Sequence, residues 1–214
     1  MKALLLLALV GCGSYSTYKT TRIVPPGQTE WLFGTQVGGA SLPGNGERGT
    51  VAPMPETSAG VRRGFANRYE LQINTTLCVL KQVRTGSFEL AGKMRVAEHG
   101  RWSLAVGAAG GYRYMESSGA VIEGGHFAVP VIGGVDLGKN QLVFAVTGGY
   151  QRYYESGAKP VSVPFIGDSI GFLYQVSDHW GVMHEAGFAY TPTDNFMTDS
   201  SRLFHMGIAL TWTR

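Results

Sequence analysis

The segment Arg101–Tyr114 alternates between two kinds of side chain along its whole length, and this alternation limits the possible folds. One set of alternate positions is apolar in the middle and aromatic at both ends: Trp102, Leu104, Val106, Ala108, Gly110, Tyr112 and Tyr114. The other set is small or charged: Ser103, Ala105, Gly107, Ala109, Gly111 and Arg113. A period of two is typical of a β-strand. At a tilt of about 45°, Trp102 and Tyr112 would lie about 24 Å apart along a membrane normal, which is the height of the apolar band of a membrane barrel.

From Thr29 onward the chain repeats this pattern and carries no helix signal. We predict ten strands: Thr29–Gly39, Thr57–Phe65, Tyr69–Leu77, Gly86–Ala97, Arg101–Tyr114, Gly125–Leu137, Gln141–Tyr154, Val161–Val176, Trp180–Tyr190 and Leu203–Thr213. Several of them are long enough to cross a bilayer at a tilt.

The connections between these strands alternate in length. Three-residue turns (Ala66–Arg68, Glu98–Gly100, Gly138–Asn140, Ser177–His179) alternate with loops of six to seventeen residues (Ala40–Glu56, Cys78–Thr85, Met115–Gly124, Glu155–Pro160, Thr191–Arg202). Short turns at one end and longer loops at the other are typical of outer-membrane barrels, in which the short turns face the periplasm. We therefore predict that residues 29–214 form an all-β, up-and-down antiparallel transmembrane barrel.

The two faces of the strands differ in bulk, which predicts the face that lines the interior. The chain has 31 glycines and only 15% charged residues, and the large apolar faces together would not fit a narrow lumen. The small and charged faces would fit, and charges of both signs can pair there, as buried charges require. The predicted lumen charges are Glu70, Glu89, Lys93, Arg95, Arg113, Asp136 and Glu185. The predicted aromatic girdles are Trp102, Tyr112, Tyr114, Tyr150, Trp180, Phe188, Tyr190 and Trp212. Val161–Val176 loses its alternation near Asp168, which predicts a β-bulge.

The first twelve residues contain the most specific local motif. Met1 and Lys2 precede an apolar run, and Leu9-Val10-Gly11-Cys12 resembles a bacterial lipobox. The resemblance implies a lipoprotein signal peptide over 1–11, cleavage before Cys12, and acyl chains on Cys12 that anchor the chain stably. An ordinary secretory signal followed by a chance cysteine is the alternative. Residues 12–28 lack a periodic apolar face and are predicted to be the lipidated N-terminus and a flexible tether.

The last predicted strand carries a second motif. His205, Gly207, Leu210 and Trp212 resemble the C-terminal recognition signal of outer-membrane barrels, although Thr213 and Arg214 follow the final aromatic residue. The chain thus resembles small bacterial outer-membrane β-barrel proteins that carry a lipoprotein signal. The resemblance implies an outer-membrane location with the lipid anchor on the periplasmic side. It also implies contact with membrane lipid, help from the barrel-assembly and lipoprotein-sorting machinery, and a monomeric state.

Other motifs carry little chemistry. The net charge of +3 includes no basic run, so nucleic-acid binding has little support. Gly44–Gly49 spells G-x-G-x-x-G, but the proline-rich segment that follows cannot begin the helix that a dinucleotide site needs. The histidines at 99, 126, 179, 184 and 205 lack ligand spacing, so we expect neither a metal nor a cofactor. Ser177-Asp178-His179 has the residue types of a hydrolase, but it falls in a tight turn, so we expect no enzyme.

Four functions remain open at this point. The leading one is a lipid-anchored barrel with a structural or surface-interaction role, its specificity in the loop Ala40–Glu56 or Thr191–Arg202. A narrow pore is the first alternative, with Glu89, Arg95, Arg113 and Glu185 setting its selectivity. An outer-membrane hydrolase and a tethered periplasmic barrel that binds ligands like a lipocalin are the others. The lipocalin-like barrel requires the large apolar side chains to point inward.

Overall fold

The chain folds into ten antiparallel strands that close into a single barrel. The computed structural model describes residues 18–42, 49–79, 83–117, 120–155, 159–191 and 201–214. Each strand pairs with its neighbours in sequence, and β1 pairs with β10 to close the barrel. The predicted all-β barrel is therefore confirmed. The strands are β1 Thr29–Leu42, β2 Gly49–Ala66, β3 Tyr69–Val79, β4 Val83–His99, β5 Trp102–Ser117, β6 Ala120–Leu137, β7 Asn140–Glu155, β8 Val161–Gln175, β9 Trp180–Thr191 and β10 Ser201–Thr213.

Four short turns lie at one end of the barrel, which we call the turn end; the opposite end is the loop end. Three of the turns have two residues, and the fourth spans residues 176–179. Gly100 and Gly138 occupy the left-handed backbone region, with φ of 60° and 70°, which two-residue hairpin turns favour. The predicted turns thus lie within one or two residues of the observed ones.

At the loop end, the strands extend further than we predicted. β1 continues to Leu42 and β2 begins at Gly49, so most of the predicted loop Ala40–Glu56 is strand. Pairing between these strands shifts register between Gly38 and Ala40 and then resumes. The shift interrupts the alternation of inward and outward residues, so the sequence pattern does not show this part of the strands. The glycine motif at 44–48 and the greater part of the predicted loop Thr191–Arg202 lie outside the described residues.

Large apolar side chains cover the outside of the barrel wall, whereas the inside holds small and polar side chains together with some large buried ones, such as Ile132, Phe165 and Met183. Leu104, Phe144 and Phe188 are 39%, 44% and 65% exposed, whereas the inward neighbour Ala105 is fully buried. This arrangement is the inverse of a lipocalin-like interior, so that alternative is wrong for this fold. Within the described residues, no helix has the length and apolar character needed to cross a membrane.

The predicted bulge in the eighth strand is wrong. β8 pairs with β7 and β9 without any register shift, and it alternates regularly. Asp168 lies on the outer face between Val146 and Phe188, while Phe165 and Leu173 point inward and are buried. The alternation fails in the sequence because apolar and polar residues exchange faces here. The backbone itself is regular.

Candidate functional site: the lumen and its N-terminal strap

Residues 18–28, which we call the strap, lie at the turn end, with 18–24 inside the lumen and 25–28 exposed at its rim. Tyr18, Thr20, Thr21 and Val24 are at most 7% exposed. The strap joins the wall through Gly64, whose carbonyl accepts a hydrogen bond from Gly27 N (3.0 Å). This part of the predicted flexible tether is therefore corrected: its polar groups bind the lumen. Cys12 and residues 13–17 lie outside the described residues, and the tether prediction stands there untested.

Side chains of the barrel bind the main chain of the strap at successive residues. Carboxylate or amide oxygens accept from its N–H groups: Lys19 N to Glu185 Oε2 (3.1 Å), Thr21 N to Gln141 Oε1 (3.2 Å) and Val24 N to Glu70 Oε2 (3.0 Å). Lys93 Nζ donates to the carbonyl oxygens of Thr20 (2.7 Å) and Arg22 (2.8 Å), and Arg62 donates to that of Tyr18. Most of these contacts do not depend on the identity of the strap residue.

Arg22 is held by its side chain in a cup at the turn between β6 and β7. Its Nε and Nη2 atoms donate to Asp136 Oδ1 at 3.1 and 2.9 Å. Its Nη1 and Nη2 atoms also donate to the carbonyl oxygens of Lys139 (2.6 Å) and Asn140 (2.9 Å). Gln141 Nε2 donates to the same Asp136 oxygen. We call this set the guanidinium cup, because several acceptors converge on one planar cation.

Tyr18 inserts at the seam where β1 and β10 close the barrel. Its hydroxyl oxygen lies within hydrogen-bond distance of the carbonyl oxygens of Thr35 (3.1 Å) and Ile208 (3.2 Å), one on each strand, and these two acceptors share its single hydrogen. A Cβ added to Gly34 or Gly207 would lie 2.7 Å from the Tyr18 hydroxyl oxygen, so only glycine leaves room for the ring. We call this space the seam notch. Burial raises the pKa of Tyr18 to about 12, so the phenol is neutral at ordinary pH.

The predicted lumen charges all lie on the inner face of the barrel, and most of them form ion pairs. Glu70 pairs with Lys93 (2.9 Å), and both side chains are at least 90% buried. The remaining acidic residues pair with groups that we did not predict: Glu89 with His126 (2.9 Å), Asp136 with Arg22 (2.9 Å) and Glu185 with His205 (3.3 Å).

The two predicted lumen arginines lie at different depths. Arg95 is near the turn end, where it pairs with Glu98 at 3.2 Å and donates to the carbonyl oxygen of Asn67. Arg113 lines a cavity of about 60 Å³ in the middle of the lumen, together with Glu89 and His126. Three of the seven charges, Glu89, Lys93 and Arg113, line this cavity, and the other four lie elsewhere along the lumen.

Several inner polar residues were absent from our prediction. Glu30 and Arg62 pair at 3.2 Å near the turn end, and Glu56 accepts a hydrogen bond from Gln36 near the loop end (2.8 Å). Arg62 and Arg63 are neighbours in a strand, so their side chains point to opposite faces. This rule alone predicts that one of the two arginines points inward. The strap residues carried no such signal. Among the described inward side chains, carboxylates outnumber lysines and arginines: Glu30, Glu56, Glu70, Glu89, Glu98, Asp136 and Glu185 against Arg62, Lys93, Arg95 and Arg113.

The predicted girdle residues lie on the outer face in two groups. Trp102, Trp180 and Trp212 are at the turn end, where the rings of Trp180 and Trp212 are 6.2 Å apart. Tyr112 and Tyr150, which are 48% and 62% exposed, lie toward the loop end. Tyr114, Phe188 and Tyr190 lie on the outer face of the same half, where β5 and β9 approach the loop end.

The strap separates two spaces in the lumen. The first is the central cavity, which Lys19 and Thr20 line from the strap side. The second is a vestibule of about 480 Å³ at the turn end, lined by Thr20, Arg22, Val24 and Pro25. Thr20 borders both spaces, so the partition is one residue thick at that point.

The hydrolase motif forms an exposed turn. Ser177 Oγ accepts hydrogen bonds from the backbone N of His179 (3.3 Å) and of Trp180 (3.1 Å), and the His179 ring contacts the carbonyl oxygen of Thr213 (3.0 Å). Asp178 is turned toward Lys139 at 3.8 Å. The three side chains thus have other partners. In the described part of the chain, no group of three or more His, Cys, Asp or Glu residues is arranged to hold a metal ion.

Comparisons with known proteins show the fold. No family model and no curated protein matches the chain. An outer membrane channel from Pseudomonas putida F1 is similar with a TM-score of 0.56 and 10% identity, covering 94% of this chain and 100% of that one. The outer membrane protease OmpT from Escherichia coli has a TM-score of 0.47 and 7% identity, covering 92% of this chain and 100% of that one. The attachment invasion locus protein Ail of Yersinia pestis has a TM-score of 0.37 and 9% identity, covering 87% of this chain and 99% of that one. The chain therefore has the fold of a bacterial outer-membrane β-barrel.

Proposed function

We propose that the chain is a lipid-anchored outer-membrane β-barrel with a structural or surface-interaction role. The observation that carries the proposal is the outer face of the wall, where large apolar side chains are exposed between two aromatic groups. Such a surface would be costly in water, and it matches the apolar core of a bilayer. We further propose that the turn end faces the periplasm, and that Cys12 carries the anchor, because Leu9-Val10-Gly11-Cys12 resembles a lipobox.

The proposal predicts that the wall holds the protein in the membrane without the lipid. A Cys12→Ala variant exported by an ordinary signal should remain in the membrane fraction after a carbonate wash, because its apolar wall stays in contact with acyl chains. Retention is measured by immunoblot. The unboiled sample should migrate faster than the boiled one, which reports a folded barrel. Release of the folded variant into the wash would contradict the proposal.

The filled lumen supports a barrel that does not conduct. The strap occupies the turn end, and buried inward side chains occupy the loop end: Met54, Met115, Ile122, Tyr153 and Leu203. We expect the purified full chain to give no discrete conductance steps in planar bilayers. Discrete steps would instead favour the narrow pore, a function of the kind that the Pseudomonas putida channel has. Discrete conductance steps would contradict the proposal of a closed lumen, but they would be compatible with the proposal that the barrel lies in the membrane.

A further inference from the structure

We propose that the turn-end half of the lumen is a peptide-binding groove and that the strap is its built-in ligand. The groove would take, from a partner, a peptide in the conformation of the strap, with an aromatic side chain and an arginine four residues later. The inference deepens the proposed function, since it requires a folded barrel whose turn end opens to water.

The groove binds the strap mainly through the strap's main chain. Glu185, Gln141 and Glu70 accept from its N–H groups, and Lys93 donates to two of its carbonyl oxygens. Such main-chain contacts recognise the path of the backbone and tolerate many side chains. A different peptide of the same conformation could form the same bonds.

Two side-chain positions add specificity. The seam notch accepts the ring of Tyr18, and the guanidinium cup accepts Arg22. One carboxylate oxygen and two carbonyl oxygens surround the guanidinium. Such a set distinguishes arginine from lysine, because the guanidinium presents several donors in a fixed plane. The inner face is also richer in carboxylates than in lysines and arginines, so it favours a basic peptide.

The groove can be reached from the turn end of the barrel. The vestibule of about 480 Å³ leads to Arg22, Val24 and Pro25 from the turn end. The strap is held mainly by hydrogen bonds, which water can replace, and its described contacts with the wall can open without unpairing strands of the barrel. A peptide that enters the vestibule would therefore meet the groove as the strap leaves it.

The test is competition between the strap and a synthetic peptide of residues 18–28. The reporter is the full chain with Thr21→Cys, which supplies the thiol to be labelled. Cys12→Ser and Cys78→Ser remove the two natural cysteines, and an ordinary signal peptide exports the chain. Arg22→Ala is added to weaken the strap, because a tethered ligand has an effective concentration of about millimolar. At about millimolar peptide, we expect the rate of maleimide labelling at Thr21→Cys to rise about tenfold.

The matched control is the same peptide with Tyr18→Ala and Arg22→Ala, which should not accelerate labelling. Equal effects of the two peptides, or no effect of either, would overturn the inference. A photoreactive group at position 21 of the natural peptide should also crosslink to β5 near Ser103, since the Thr21 and Ser103 hydroxyl oxygens are 2.6 Å apart. If the weakened chain does not fold, the competition and crosslinking are repeated with the natural Arg22, under the same criteria. The carbonate wash and the conductance measurement use no peptide. They therefore test the proposed function separately from the peptide-binding groove.

Discussion

Lys93→Met should destabilise the barrel by about 3–5 kcal/mol, the cost of removing one member of a buried ion pair. The Lys93 ammonium lies 2.9 Å from Glu70 Oε1 and also donates to the carbonyl oxygens of Thr20 and Arg22. The substitution leaves the Glu70 charge in the lumen and removes two bonds to the strap. Urea unfolding in detergent, followed by tryptophan fluorescence, measures the loss.

Two controls identify the cause of that loss. Glu70→Gln combined with Lys93→Met removes both charges, so the double variant should recover part of the stability that the single variant loses. Arg84→Ala breaks an exposed pair with Glu116 at 3.8 Å and should cost less than about 1 kcal/mol. If Lys93→Met costs no more than Arg84→Ala, the buried pair does not stabilise the fold.

Gly64→Val should loosen the strap and leave the ten strands paired. A Cβ at Gly64 would overlap the carbonyl oxygens of Val24 and Pro25, and Gly64 also bonds to Gly27 and Gln28 through its backbone. Overlaps of this kind cost roughly 1–3 kcal/mol, which corresponds to a shift of about 5-fold to about 150-fold in the opening equilibrium. Maleimide labelling of the Thr21→Cys reporter should accelerate accordingly.

Gly148→Val is the matched control, because an added Cβ at Gly148 has no heavy atom within 4 Å. It should leave the labelling rate unchanged. Both variants should keep the faster migration of the unboiled barrel. Equal labelling of the two glycine variants would mean that the observed packing at Gly64 does not hold the strap.

The strands could be predicted from the sequence because a period of two is a local signal. Trp102, Leu104 and Val106 reveal their face within six residues, and Gly138 marks a turn by itself. The direction of the faces followed from their difference in bulk, although the lumen also holds a few large side chains, such as Phe165 and Met183. Asp168 misled the prediction because one polar residue on the outer face imitates a change of phase.

The strap could not be predicted because its contacts are distant in sequence and it has no periodic apolar face. Thr21 binds Gln141, which is 120 residues away, and the partners of Lys19 and Val24 come from different strands. A backbone bound by remote side chains leaves no periodic mark in its own sequence. The unpredicted partners Arg22 and His205 follow from the same cause, because each becomes a partner only when the barrel closes.

The position of Tyr18 has a consequence for the order of folding. Its hydroxyl bridges Thr35 and Ile208, and the latter is 190 residues away in sequence. An early segment thus acquires its binding place only once the final strand has been added. Loop-closure entropy makes such a late, long-range step slow, so this segment stays exposed until the barrel closes. If the chain assembles in an outer membrane, as we propose, a chaperone that shields the segment would lower the chance of aggregation before closure.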